Sequence, residues 1–155
     1  GDVKFEILGL HDNDALLQIR SIATYDDGLT HEPQQQWLTA DPWLLRTLES
    51  ATSSNRHYDF HQRGFAYDHE LIVSLPQKLK VDQTGGRLEL NASYGSLTRI
   101  YQTSNRDLIV RTKLRLPARA VALDELQRYN AYLRALQGNG LIWFNLKRVE
   151  ATPPS

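Results

Sequence analysis

The chain has no cysteine and no methionine among its 155 residues. Without cysteine there is no disulfide framework, no thiolate nucleophile and no cysteine-ligated zinc site. Without methionine, and with Gly1 at the start, the chain reads as a piece excised from a longer protein, Gly1 being a cloning remnant. A surplus of either charge is also missing, since eighteen Lys plus Arg balance eighteen Asp plus Glu. A nucleic-acid or anionic-membrane binder usually carries a basic excess, so neither partner is expected. No apolar run approaches the ~20 residues that span a bilayer, so no membrane insertion is expected within the chain.

What is present is ordinary globular usage, 41% apolar and 23% charged, which predicts one domain over residues 1–150 with a disordered tail at 151–155. Alternation marks the strands. VKFEILGL and ALLQIRSIATY form two strands joined by the polar turn HDND; DDG, Pro33 and three glutamines then predict loop. TADPWLLRTLESATSS reads as a short helix, with Thr39 or Asp41 capping, Pro42 in its first turn, and an end at Ser53-Ser54-Asn55. Phe65, Tyr67, His69, Leu71, Val73 and Leu75 share one strand face as far as Pro76. Gly85-Gly86 suggests a turn before Leu88, Leu90 and Ala92. LTRIYQTS suggests a short strand. LIVRTKLRLP is the clearest strand, with Leu108, Val110, Thr112, Leu114 and Leu116 inward and Arg111, Lys113 and Arg115 outward.

The period then lengthens. Leu123, Leu126, Tyr129, Leu133 and Leu136, with Tyr132 beside them, recur at helical spacing. Asp124 and Glu125 suit the first turn, and Gly138 is placed to end the helix in a left-handed conformation. Asn139-Gly140 then turns into the final strand LIWFNLKRV. The order predicts an α+β, mainly β fold: an antiparallel sheet or β-sandwich covered by one long helix near the C-terminus and one shorter helix.

Chemistry is advertised most loudly by HYDFHQRGFAYDH, residues 57–69, which holds three of the five histidines. His57 and His61, with His69 or Asp59 as a third ligand, are the candidate metal set. The HxxxH interval joins two imidazoles only on a helix, however, and in extended chain the same residues lie ~13 Å apart. Tyr58 also stands where a catalytic HExxH motif has glutamate. No metal and no cofactor are therefore expected, and His69, on the apolar face of its strand, reads as a hydrogen-bonded core or sheet-edge histidine.

No GxSxG motif occurs, SYGSL reads as a turn, and the pairs Asp26-Asp27 and Asp124-Glu125 have turn and helix-start explanations. Asn91-Ala92-Ser93 matches a glycosylation acceptor by pattern. Arg111, Lys113 and Arg115, extended by Arg99 and Arg119, could line a polyanion, but alternating charge is more often the solvated side of a strand. Trp143, Tyr101, Tyr94 and Phe144 are candidates for a glycan platform, weighed against a place in the core.

The run LIVSLPQKLKV, then GGRLELNASYGSLTRIYQTSNRDLIVRTKLRLP, then LDELQRYNAYLRAL resembles the C-terminal domain of unknown function that follows a transglutaminase-like core in bacterial multidomain proteins. Leu75-Pro76, the Leu108 to Leu116 strand, and Tyr129, Tyr132 and Leu133 carry the likeness, which covers residues 65–137. It implies a β-rich accessory domain without chemistry of its own, in a periplasmic or otherwise exported protein, whose partners are other domains of the same parent. Three functions follow: a non-catalytic interaction domain, a β-sandwich module binding glycan or peptide, and a metal-dependent hydrolase built on the histidines.

Overall fold

A computed structural model describes residues 3–8, 18–23, 30–31, 36–40, 44, 57–83, 85–104 and 106–149. The chain divides into two compact units, Gly1–Thr30 and His31–Ser155. The first holds an antiparallel pair, β1 (Val3–Leu8) with β2 (Gln18–Ala23), in which Val3 faces Ala23 and Leu8 faces Gln18. This is the strand pair expected from the sequence. β3 (Thr30–His31) follows.

The second unit is built on a four-stranded antiparallel sheet in the order β6 (Phe65–Ser74), β10 (Asp107–Leu116), β9 (Gly95–Ser104), β8 (Gly85–Ala92). Alternation decides its two faces. On β10, Leu108, Val110, Thr112 and Leu114 are buried while Arg111, Lys113 and Arg115 are exposed. The register aligns Leu114 with Tyr67 and Leu97, and Thr112 with His69 and Arg99, so one inner face runs across all four strands. The fold is α+β, mainly β, as the periodicity predicts.

Two layers cover that inner face. Over one end lies α1 (Leu126–Gly138), preceded by a 3-10 turn at Leu123–Glu125. Leu126, Tyr129, Tyr132, Leu133 and Leu136 are buried together with Leu97, Leu114, Val121, Tyr94 and the helical residue Leu44. A fully buried leucine such as Leu97 or Leu114, each 0% exposed, contributes about 2 kcal/mol through surface removed from water. At the other end β12 (Ile142–Arg148) lies between β4 (Gln36–Ala40) and β7 (Leu79–Val81), and its Phe144 meets the ring of Tyr101 edge-on at 5.0 Å. A short ribbon of β5 (Phe60–Gln62) and β11 (Arg119–Val121) completes the described strands.

Several local expectations change. Gln36–Ala40 is a strand, where the sequence suggests loop and then Thr39 as a helix cap, because pairing with β12 gives its backbone hydrogen-bond partners that local sequence does not reveal. Gly85 and Gly86 lie in β8 rather than in a turn; the ring of Tyr101 occupies the space that a side chain at Gly86 would need. β9 is ten residues long, not short. Gly138 remains helical, and Asn139, at φ −108°, ends α1 with its side chain donating to the Ala135 carbonyl at 2.8 Å. Leu123 is 42% exposed because it falls in the 3-10 turn, off the buried stripe. The expected helix after residue 40, apart from Leu44, and the tail at 151–155 lie outside the described residues.

Candidate functional site

The most heavily invested polar side chain is Arg99, 1% exposed on the inner face. Strand alternation puts it there, in the row of Thr112 and His69, between the end covered by α1 and the end where Phe144 of β12 meets Tyr101. Its Nε donates to the Thr112 hydroxyl at 3.1 Å, Nη1 to the Asn139 carbonyl at 2.6 Å and Nη2 to the Gly140 carbonyl at 3.0 Å. These bonds hold the turn between α1 and β12 against the sheet, and they complement carbonyls just past the helix C-terminus. The place of Arg99 in a surface cationic stripe is therefore corrected. It is a strut of the fold.

Arg119 is also drawn inward: its guanidinium lies 5.1 Å from the Tyr94 ring centroid and donates to both Glu125 carboxylate oxygens, at 3.2 and 3.0 Å. The remaining cations of the stripe are balanced across strands. Arg111 pairs with Glu70 at 2.5 Å, Arg115 pairs with Asp68, and Lys113 stands directly opposite Asp68. The outer face is a mixed-charge surface, with Ile72, 55% exposed, opposite Ile109.

The three histidines occupy different settings. His57 lies in an exposed bend, His61 is exposed on β5 opposite Ala120, and His69 is half-buried on β6, its ring 5.6 Å from that of Tyr67. No group of three His, Cys, Asp or Glu that could hold a metal occurs among the described residues. Spacing in extended chain is what separates His57, His61 and His69.

The aromatic candidates also diverge. Tyr94 is 5% exposed in the hairpin turn between β8 and β9, packed at 5.3 Å against Tyr129 and 6.1 Å against Tyr132. Tyr101 is half-buried against Phe144 and donates to the Gln83 side chain at 3.1 Å. Trp143 is 52% exposed on the far side of β12, where the register sets it opposite Thr39 and sets Asn145 opposite Trp37. Lys147, two residues beyond Asn145, pairs with Asp82 at 2.6 Å.

Gln62 was missed by sequence reasoning, and so was the fate of the Tyr132 hydroxyl. Gln62, 4% exposed, donates to the carbonyls of Tyr94 at 2.9 Å and Pro117 at 2.6 Å, tying β5 to two turns. Tyr132 has its hydroxyl buried without a hydrogen-bond partner, and that burial raises its pKa from 10.0 to about 12. Neither leaves a signal in a single sequence, because both depend on which turn the fold brings near. A shallow cavity of about 290 Å³ opens beside β8, walled by Gly86, Leu88, Tyr101, Leu141 and Ile142, with Arg87 and Arg99 at its polar side. No helix among the described residues is long and apolar enough to cross a membrane. No family model, curated protein or solved structure matches the chain.

Proposed function

We propose that the chain is a non-catalytic accessory module of a larger, exported bacterial protein, of the kind that follows a transglutaminase-like core, and that it acts by contact with neighbouring domains. The supporting observation is the character of its exposed apolar residues. Ile72 and Trp143 lie on broad strand faces rimmed by paired charges, Arg111 with Glu70 and Lys147 with Asp82. Such flat, mixed surfaces suit protein docking better than enclosure of a small substrate. Hydrogen exchange on the full-length parent and on this chain alone tests the reading. Added protection over 66–72, 109–115 or 142–147 in the parent is expected, and identical exchange in the two would overturn it.

A glycan-binding role is the second reading, favoured by the 52% exposure of Trp143 beside the Asn145 amide. Titration of soluble polysaccharides against tryptophan fluorescence separates the two. A saturable change lost in Trp143→Ala supports glycan binding; no change leaves docking as the role of that face.

A further inference from the structure

The hairpin that joins β8 to β9 carries a motif that the docking role leaves unused. Alternation along β8 sends Arg87, Glu89 and Asn91 to the exposed outer face, and Ala92 and Ser93 are exposed as well. Exposure stops at Tyr94, 5% exposed and packed on Tyr129 and Tyr132, so the turn is pinned from beneath while Asn91-Ala92-Ser93 stands in solvent. Asn91 lies opposite Ser96 and Ala92 opposite Gly95, the last pairs of the ladder, and β8 has no second strand neighbour among the described residues. The Ser93 carbonyl accepts from Arg119 Nη1 at 3.1 Å, which holds the backbone of the turn and leaves the hydroxyl out of that bond.

We propose that Asn91 is an acceptor for an N-linked glycan, transferred from a polyprenyl-diphosphate oligosaccharide by an oligosaccharyltransferase. The Asn91 carboxamide nitrogen bonds to the anomeric carbon of the donor as the bond from that carbon to the diphosphate oxygen breaks. The diphosphate leaves with the electron pair and the amide gives up one proton, with no change of oxidation state. An Asn-X-Ser triplet supplies the amide and, two residues on, the hydroxyl that the transferase reads. The structure adds more than the triplet. All three residues are exposed, and they close a ladder, where local opening costs least. Glu89, two residues before Asn91, shares its outer face, at the place where bacterial transferases take an acidic side chain. Its partner is Arg87, an exposed pair whose release costs little. A glycan at Asn91 adds polar bulk at the edge of the sheet, where it hinders pairing with another chain. The inference rests on the exported setting proposed above, because donor and transferase work on the outer side of the membrane.

The probe is a purified bacterial oligosaccharyltransferase with its polyprenyl-diphosphate oligosaccharide, read by intact mass and by the tryptic peptide of residues 88–99. The folded chain is expected to gain one glycan, on that peptide, at a rate within roughly tenfold of a synthetic peptide of residues 87–95. Asn91→Gln and Ser93→Ala should abolish the gain, and Glu89→Gln should slow it by roughly tenfold or more. Ser96→Ala, across the hairpin from Asn91, should leave it unchanged. No transfer to the folded chain, a glycan on another residue, or transfer that survives Ser93→Ala would each overturn the inference. The assay involves no membrane crossing, so its failure counts against the acceptor; a glycan gained here but absent from the parent recovered from its host counts against the exported setting alone.

Discussion

The two faces of β10 make a controlled comparison, because they share one backbone, one register and the same neighbours. Inward stand Leu108, Val110, Thr112 and Leu114, all buried; outward stand Arg111, Lys113 and Arg115, all exposed. Arginine occurs on both faces of the sheet, and there the contrast is sharpest. Arg99 is enclosed, with hydrogen bonds to the Thr112 side chain and two turn carbonyls, whereas Arg111 holds a single exposed carboxylate. The same side chain is structural on one face and nearly neutral for stability on the other, because solvent screens the second and not the first. Stability resides inside.

Five substitutions would break or sharpen that contrast. Arg99→Ala should cost on the order of 3 kcal/mol or more in urea unfolding, since it opens a cavity and strands the Asn139 and Gly140 carbonyls and the Thr112 hydroxyl. A cost below that of an exposed arginine would make Arg99 a bystander. Leu114→Ala should lose about 3 kcal/mol through an unfilled cavity at a site 0% exposed. Its outer-face counterpart Ile72→Ala, 55% exposed, should stay within about 0.5 kcal/mol, and equal losses would show the faces to be less different than their burial.

Tyr132→Phe should be neutral or stabilising by up to about 1 kcal/mol, because it removes a buried hydroxyl without a partner. The same variant carries a pH signature. Burial raises the folded pKa of Tyr132 from 10.0 to about 12, so the unfolded chain loses this proton first as pH rises. The contribution is fully present below about pH 10 and declines as pH rises from there through about 12, and Tyr132→Phe should flatten that part of the stability profile relative to the wild type. A profile with the same slope in both proteins would locate the titration elsewhere. Arg111→Ala, also on the outer face, should change stability by no more than about 0.5 kcal/mol, with part of the effect screened by added salt; a larger, salt-independent loss would show the outer pair to be a strut as well.

Much of the second unit is legible residue by residue. LIVRTKLRLP reports its own two faces, and the helical spacing of Leu126, Tyr129, Leu133 and Leu136 reports the buried stripe of α1. Burial that repeats with the backbone period is a local property, so a single sequence carries it. Arg99 was misplaced for the opposite reason. Its strand alternates correctly, with Leu97 and Tyr101 on its own face, but charge argues for the surface unless the Asn139 and Gly140 carbonyls are known to be waiting inside. Trp143 and Tyr94 show the same limit. Both are aromatic, yet one lies half exposed on β12 and the other fills the core beneath a turn.

By itself, then, the sequence determined the α+β class, the alternation of β6 and β10, the apolar stripe of α1, and the unsuitability of HxxxH for a shared ligand in extended chain. Each depends only on backbone periodicity and on which side chains water rejects. Tertiary structure decided that Gln36–Ala40 is a strand, that Gly85 and Gly86 extend an edge instead of turning a corner, that Arg99 points inward, and that a cavity opens beside β8. Those outcomes rest on partners distant in the chain: β12 for Gln36–Ala40, the Tyr101 ring for Gly86, and two turn carbonyls for Arg99. Such pairings form only when the whole sheet closes, so no local pattern could announce them.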